Sequence, residues 1–214
     1  SVIRMLADYL GEKDFRDGLR YYLKKHSYKN TETVHLWEAF EKVSKKPVSQ
    51  MMKNWTGRGG YPVIYASLGT PSTKLQITQE RFFTSPISKN KAKDKTIWNV
   101  PMIINTEGNV HKTLLTSKRT KLIAPNTGWL KINDGESGFF RTSYSKELLE
   151  KLRSPILEKK IPHLDRLGIV RDLFALSEAG VIPTVNALEF LSAYKNEDSY
   201  IVLSEIASGI SRIL

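Results

Sequence analysis

Apolar positions recur at helical spacing from the first residues: Val2, Ile3, Leu6, Tyr9 and Leu10 form one stripe, and Phe15, Leu19, Tyr22 and Leu23 repeat it after Gly11. A third stripe, Leu36, Trp37, Phe40 and Val43, follows Thr33, a residue type suited to an N-cap. Pro47 then suits the first turn of a fourth helix carrying Val48, Met51, Met52 and Trp55. Residues 1–58 therefore read as four short helices stacked by their apolar faces.

The period changes at Thr56-Gly57-Arg58-Gly59-Gly60, which is too rich in glycine to continue a helix and marks a domain boundary. Beyond it, 61–68, 74–83, 96–105, 110–115, 121–124, 128–133 and 138–144 are short runs of Val, Ile, Thr and aromatic residues separated by turn residues. Seven such strands predict a small antiparallel β-sandwich over 61–144. Turns at Glu107-Gly108-Asn109 and Asp134-Gly135 supply residues that tolerate positive φ.

The helical period returns at Ser145, which can cap a helix holding Leu148, Leu149 and Leu152. Asp165 can begin the next, with Leu167, Val170, Leu173, Phe174 and Leu176 on its buried side and Gly180 ending it. Pro183 opens a third helix with Val185, Leu188, Phe190 and Leu191, and 200–214 carries Ile201, Leu203, Ile206, Ile210 and Ile213. Residues 145–214 thus read as the first helices of an α-solenoid or bundle, without a repeat of fixed period.

Composition adds limits rather than chemistry. The 214 residues are 40% hydrophobic and 26% charged, the balance of an ordinary globular chain. There is no cysteine, which excludes disulfides, thiol nucleophiles and thiolate metal sites and suits a reducing, cytoplasmic compartment. No apolar run reaches the roughly 18 residues of a membrane span, and the opening residues lack a secretion signal. The chain starts and stops inside periodic apolar patterns, as a piece cut from a longer protein would.

The net charge of +11 lies in the first two parts: Lys and Arg number 12 against 7 acidic residues in 1–58, 12 against 5 in 61–144, and 9 against 10 in 145–214. The densest cluster, Lys89, Lys91, Lys93 and Lys95, has no interleaved aromatic residues for base stacking and reads as a solvated loop. The excess leaves open a non-catalytic binding module for acidic partners, alongside a purely structural interaction protein.

Candidate chemistry fails on spacing. His26, His35, His111 and His163 are scattered, and His35 with Glu38 makes a surface pair one turn apart, not a ligand set. Gly135-Glu136-Ser137-Gly138 approaches a nucleophile elbow but sits between strands, and Gly57-Arg58-Gly59-Gly60 leads into a strand rather than a helix that could receive an anion. Trp37, Trp55, Trp98 and Trp129 lie within apolar patterns and read as core. Asp165-Arg166 and Arg171-Asp172 read as structural ion pairs at the entry from the sandwich. The residues alone assign no catalytic and no metal-ligating position, and leave substrate-binding positions unassigned.

Read in order, several motifs resemble the M1 zinc aminopeptidases, the group of aminopeptidase N, puromycin-sensitive aminopeptidase and the tricorn-interacting factors. Ser1 to Leu6 with Asp8-Tyr9-Leu10-Gly11 and Asp14-Phe15 is similar to the helix after that family's catalytic tyrosine motif. Leu36-Trp37-Glu38, Lys46-Pro47-Val48, Trp55-Thr56 and Gly60-Tyr61-Pro62-Val63-Ile64 resemble the end of its thermolysin-like domain and the crossing into its β-sandwich. Trp129-Leu130-Lys131-Ile132-Asn133 and Gly138-Phe139-Phe140-Arg141 resemble the last sandwich strands, with Phe140 where the family more often has Tyr. Asp165-Arg166-Leu167-Gly168, Asp172 to Leu176 and Ala179-Gly180 resemble the opening of its helical C-terminal domain.

The resemblance implies an α+β, multi-part chain: the helical end of a thermolysin-like domain, a small antiparallel β-sandwich, and the first helices of an α-solenoid-like domain. It also implies that the G-x-M-E-N motif, the H-E-x-x-H zinc helix and the tyrosine all precede Ser1. The parent would use zinc to activate water, a glutamate as general base and the tyrosine to stabilise the tetrahedral intermediate. This chain would bind no zinc itself, and would serve as scaffold toward peptide substrates and the remainder of its own polypeptide, with no specific nucleic-acid partner.

Overall fold

The computed structural model describes residues 1–70, 74–91, 94–123 and 128–213, with backbone alone at 89–91. It is a mixed α/β arrangement of helices flanking two small sheets. Helix α1 (Val2–Leu10) starts at Ser1, whose hydroxyl accepts from Arg4 N at 3.3 Å. Gly11, at φ 91°, ends α1 and begins α2 (Glu12–Lys25), a conformation that glycine adopts without a Cβ penalty. Glu12 and Asp14 at its start and Lys24 and Lys25 at its end complement the helix dipole.

Helix α3 (Thr33–Ser44) differs from expectation at its start. Glu32, in extended conformation, is the cap and Thr33 is already helical; His35 Nδ1 accepts from Glu32 N at 3.1 Å, the return bond of a capping box. Helix α4 (Val48–Gly57) buries Val48, Met51, Met52 and Trp55 as the pattern predicts, but runs two residues into the glycine-rich stretch. In α2, Leu23 stands exposed while Phe15 and Leu19 pack on the core, so the stripe there is shorter than the sequence suggests.

The seven expected strands form as β1 (Pro62–Leu68), β2 (Lys74–Arg81), β3 (Val100–Thr106), β4 (Asn109–Leu115), β5 (Arg119–Ile123), β6 (Lys131–Ile132) and β7 (Arg141–Tyr144). One sheet has the order β5-β2-β1-β7 and the other β4-β3-β6. The β3–β4 hairpin turns through Glu107 and Gly108, both at positive φ. The antiparallel expectation fails at one pair: β7 runs parallel to β1, with Val63 opposite Arg141 and Ala66 opposite Tyr144. After β6 in the smaller sheet, the chain turns and enters the larger sheet at its free edge beside β1; alternation of side chains specifies faces, not strand direction. A short helix unforeseen in the sequence, α5 (Pro86–Lys91), follows β2. Of the lysine cluster, Lys95 is exposed and the side chains of Lys89, Lys91 and Lys93 lie outside the described residues, as does Ala124 at the end of the fifth expected strand.

The last part comprises α6 (Lys146–Lys151), α7 (Arg153–Leu157), α8 (His163–Glu178), α9 (Thr184–Phe190), a 3-10 turn at Leu191–Tyr194 and α10 (Tyr200–Ile213). Ser145 caps α6 as predicted. Helix α8 starts two residues before Asp165, which sits buried in its first turn, and Gly180 at φ 67° closes its exit. In helix α10, Ile206, Ile210 and Ile213 of the expected stripe pack on the core, but Val202 and Gly209 face inward where the pattern put Ile201 and Leu203, which are exposed. The reason is close packing, because the Phe174 ring of α8 occupies the space a side chain at Gly209 would need.

Two apolar cores result. The first runs without a break from Met5 and Leu6 through Trp37, Phe40 and Met51 into Ile64, Ile77, Trp98 and Ile132, so α1–α4 and the sandwich share it. Trp55 stacks toward Trp98 at 6.2 Å and donates its Nε1–H to Asn99 O at 2.9 Å. The second core lies among α7–α10 around Val170, Phe174 and Phe190, and Trp129 packs on its edge. Tyr144 touches both.

A Cβ at Gly18 would stand 2.5 Å from Phe40 Cδ1, where α2 crosses α3. Gly18→Ala should therefore lower stability by about 1–3 kcal/mol through overpacking, although alanine is the better helix former. Urea unfolding checks it; an unchanged or raised midpoint would show that Phe40 moves aside freely.

Candidate functional site

The tightest polar cluster lies where the sandwich meets α8, around Lys131. The side chain of this β6 residue is only 2% exposed. Its ammonium reaches Asn133 O at 2.6 Å, Ile132 O at 3.1 Å, Glu136 Oε1 at 2.5 Å and Asp165 Oδ1 at 2.9 Å. A buried ammonium is tolerable only when its protons meet acceptors, at least one of them charged. Two carboxylates from separate elements meet that demand here: Glu136 from the turn after β6, and Asp165 from α8.

The turn over 133–138 is shaped by these contacts. Asn133, Gly135 and Glu136 have φ of 65°, 72° and 52°. Asn133 Oδ1 accepts from Gly138 N at 2.7 Å, and Asp165 Oδ1 also accepts from Gly135 N at 2.8 Å. From the other side, Arg4 Nη2 donates to Gly135 O at 2.9 Å, so the same turn touches α1, β6 and α8. The Glu136 carboxyl lies against the α8 backbone at Gly168, filling the place of a Cβ there.

A second buried pair stands beside the first. Asp172 of α8 accepts from Arg141 Nη1 at 3.2 Å and from Thr142 N at 2.7 Å, fixing the start of β7. Tyr144 OH accepts from Ile132 N at 2.8 Å and donates to Ile132 O at 3.3 Å, joining β7 of one sheet to β6 of the other. Burial raises the Glu136 carboxyl to about 7, with Lys131 opposing and Asp172 and Asp165 adding to the rise. Burial also raises Asp172 despite Arg141, and holds the Tyr144 phenol well above its ordinary value.

A cleft of about 330 Å³ opens beside this cluster, bordered by Ser1 and Arg4 at the start of α1, Tyr61 just before β1, Glu136 and Phe139 of the turn region, and Arg171 of α8. It is the one place among the described cavities where all three parts of the chain meet.

The other sequence candidates fall into structural roles. Gly135-Glu136-Ser137-Gly138 forms a turn around a short 3-10 segment, and Ser137 in it is buried. Arg166 pairs bidentately with Glu197 at 2.6 and 2.7 Å inside the helical part. His26 and His35, 9 positions apart in sequence, stack at 4.9 Å across α2 and α3, a contact the sequence reading missed. Partial burial and the neighbouring His35 ring hold His26 below its usual pKa. Stacked rings do not aim their nitrogens at one point, and among the described residues no group of three or more His, Asp or Glu could hold a metal ion. These residues therefore do not fit a zinc site.

Some of the positive charge is engaged within the chain. Arg81 pairs with Asp94 at 2.5 Å, Lys131 and Arg141 are spent internally, and Lys112 Nζ donates to Asp8 O of α1 at 3.1 Å.

The junction thus ties three parts of the chain together: Lys131 and Asp165 join the sandwich to α8, and Arg4 joins α1 to the same turn. Residues 1–55 match the Peptidase family M1 domain, and residues 129–214 match the ERAP1-like C-terminal domain. Along its whole length the chain is 36% identical to Aminopeptidase M1-D of Oryza sativa subsp. japonica, 35% to the Alanine/arginine aminopeptidase of Saccharomyces cerevisiae and 32% to Tricorn protease-interacting factor F2 of Thermoplasma volcanium. It spans about a quarter of the length of these curated relatives: 25%, 24% and 25% respectively. The chain belongs to peptidase family M1. The second match begins at 129, so the turn and α8 fall within one matched unit.

Lys131→Met removes the ammonium and keeps the stem, leaving Glu136 and Asp165 without their cation. At pH 8 it should cost roughly 3–5 kcal/mol, and clearly less at pH 5, where Glu136 is protonated. Chemical denaturation at the two pH values reads this difference; equal losses would remove Glu136 from the account.

Proposed function

We propose that the chain is the bracing portion of a zinc aminopeptidase that releases N-terminal residues from peptides. In this reading residues 1–58 are the last helices of a thermolysin-like catalytic domain, 61–144 its β-sandwich and 145–214 the opening of an α-solenoid-like C-terminal domain. The observation that carries it is the match to proteins named aminopeptidases over the full 214 residues, in one unbroken order. The continuous core supports it: α1–α4 cannot shift without the sandwich, so anything mounted on α1 is held in register with β3 and β6.

The work of this segment is mechanical. Helices α1–α4 back the catalytic domain, the sandwich sets the spacing, and α8–α10 begin the wall along which a peptide is enclosed. Zinc, its ligands and the reacting groups come from the remainder of the polypeptide. Peptides are the substrates, and a cytoplasmic address suits a chain without cysteine. Among the described residues no helix is long and apolar enough to cross a membrane.

Full-length protein should release the N-terminal residue from aminoacyl reporters, lose that activity to a chelator and regain it with zinc, whereas residues 1–214 alone should show no release and no stoichiometric zinc. Activity retained by the 214 residues, or a zinc-free active full-length protein, would overturn the reading.

A further inference from the structure

The larger sheet ends differently on its two sides. On one side β7 lies against α8, whose Asp172 accepts from the Thr142 amide. On the other side stands β5, and among the described residues no strand pairs with it beyond β2. An edge strand carries main-chain N–H and C=O groups at alternate residues without a ladder partner, and an extended segment can join there as one more strand.

The register places the side chains of this edge. Lys121 stands opposite Gln76, Arg119 opposite Thr78 and Ile123 opposite Lys74. Leu75 and Ile77 are buried in the core, so Leu122 and Thr120 opposite them turn inward, and Arg119, Lys121 and Ile123 form an outer row. All three of that row are exposed, Ile123 by 89%, as are Lys74 and Lys118. Arg119 and Lys121 lie about 7 Å apart along the strand, and Lys74 lies diagonal to Lys121 at a similar separation. Unlike Arg81, Lys131 and Arg141, none of the cations Lys74, Lys118, Arg119 and Lys121 forms an ion pair among the described residues. The carboxylate on the outer face of β2 is Glu80, past Thr78 and at the other end of the strand from Lys74.

Such charges close the edge to its own kind. Two copies of β5 side by side would bring Arg119 and Lys121 of each against the other, and like charges directly opposite are destabilising. The guard has a sign: the spacing is shorter than the screening length of about 8–10 Å, so the row that repels cations attracts carboxylates. On the inward side Leu122 packs on the first core and is only partly buried, so an added strand would be stabilised by laying an apolar residue over it. Residues 116–123 include no aromatic side chain on which a base could stack.

We propose that β5 is a docking edge for an extended acidic segment of a partner protein. The segment adds as a fifth strand, with carboxylates at alternate positions against Arg119 and Lys121 and apolar residues between them over Leu122. Charge and pleat together define the partner as a run of about five residues alternating acidic and apolar. Docking at β5 leaves the Lys131 junction at the opposite side of the sandwich untouched, and it does not depend on the activity proposed above.

The test uses full-length protein and a fluorescent eight-residue peptide of alternating glutamate and valine, acetylated so that it offers no free N-terminus for release. Anisotropy should show saturable binding that weakens severalfold between about 50 and 300 mM salt, and a lysine–valine peptide should not bind. Hydrogen exchange at 117–123 should slow when the acidic peptide is added, while α3 stays unchanged. Arg119→Glu combined with Lys121→Glu should weaken the acidic peptide at least about tenfold and turn the preference toward the lysine–valine peptide. No binding, binding with unchanged exchange at 117–123, or equal affinity in the charge-reversed protein each overturns the proposal. So does tighter binding of a single-stranded oligothymidylate than of the acidic peptide, or exchange at 117–123 that is already slow without peptide because the protein's own polypeptide covers the edge. Should the double variant fold poorly, the exchange footprint on the wild-type protein decides alone. Release of N-terminal residues from a reporter, measured in parallel, reports on the proposed activity and leaves the binding result untouched.

Discussion

The ammonium of Lys131 has to be answered inside the protein, because almost none of its side chain meets water. Its answer comes from a backbone carbonyl of its own turn, a glutamate of that turn and an aspartate of a helix 34 positions later in the chain. Remove the helix and the strand keeps a buried charge with one of its two carboxylates; remove the turn and the aspartate loses the Gly135 amide. The sandwich and the helical part are therefore not two bodies that happen to touch. Their contact is a condition for burying Lys131 at all.

The same logic reaches α1. Arg4 donates to the carbonyl of Gly135, the residue whose amide is taken by Asp165, so one peptide unit's neighbours lie between the first helix and the eighth. Such polar ties add direction to a fold whose cohesion comes from apolar packing. The first core already locks α1–α4 to the sandwich through Met5, Trp55 and Trp98. The second core is separate and meets the first at Tyr144, while Leu148 of α6 lies in the first and Trp129 packs on the second, so the ion pairs to α8 add polar ties across a seam that is also apolar.

This division explains what the sequence could disclose. Helices and strands announce themselves by period, and all seven strands and the main helices stand where the pattern puts them, within a few residues. Period is silent on direction, hence the parallel β1–β7 pair, and on rotation between close-packed helices, hence the inward Gly209 in place of Ile201 and Leu203. The short α5 has too few turns to show a stripe. At the junction, Asp165 and Asp172 could be marked as structural from their placement at a helix start, but Lys131 could not. Between Leu130 and Ile132 a lysine at an alternating position reads as outward and solvated, and only the arrival of α8 makes that face an interior one. Glu136 was hidden the same way, since its burial is the work of Gly168, 32 positions on.

A scaffold is usually thought of as inert, its charges set for solubility and its cores for stability. The geometry here joins the two. A pure apolar contact between turn and helix would be firmer, because buried ion pairs often stabilise no better than the hydrophobic groups that could replace them. What charge provides instead is direction: the bonds of the Lys131 ammonium fix where the Glu136 and Asp165 carboxylates must lie, so the turn and α8 dock in one register. The turn carries backbone strain, its clamp carries the titratable group, and the helix it clamps offers a glycine where any side chain would block the contact. The seam between the sandwich and the helical part is therefore set by the positions of particular polar groups as well as by apolar area.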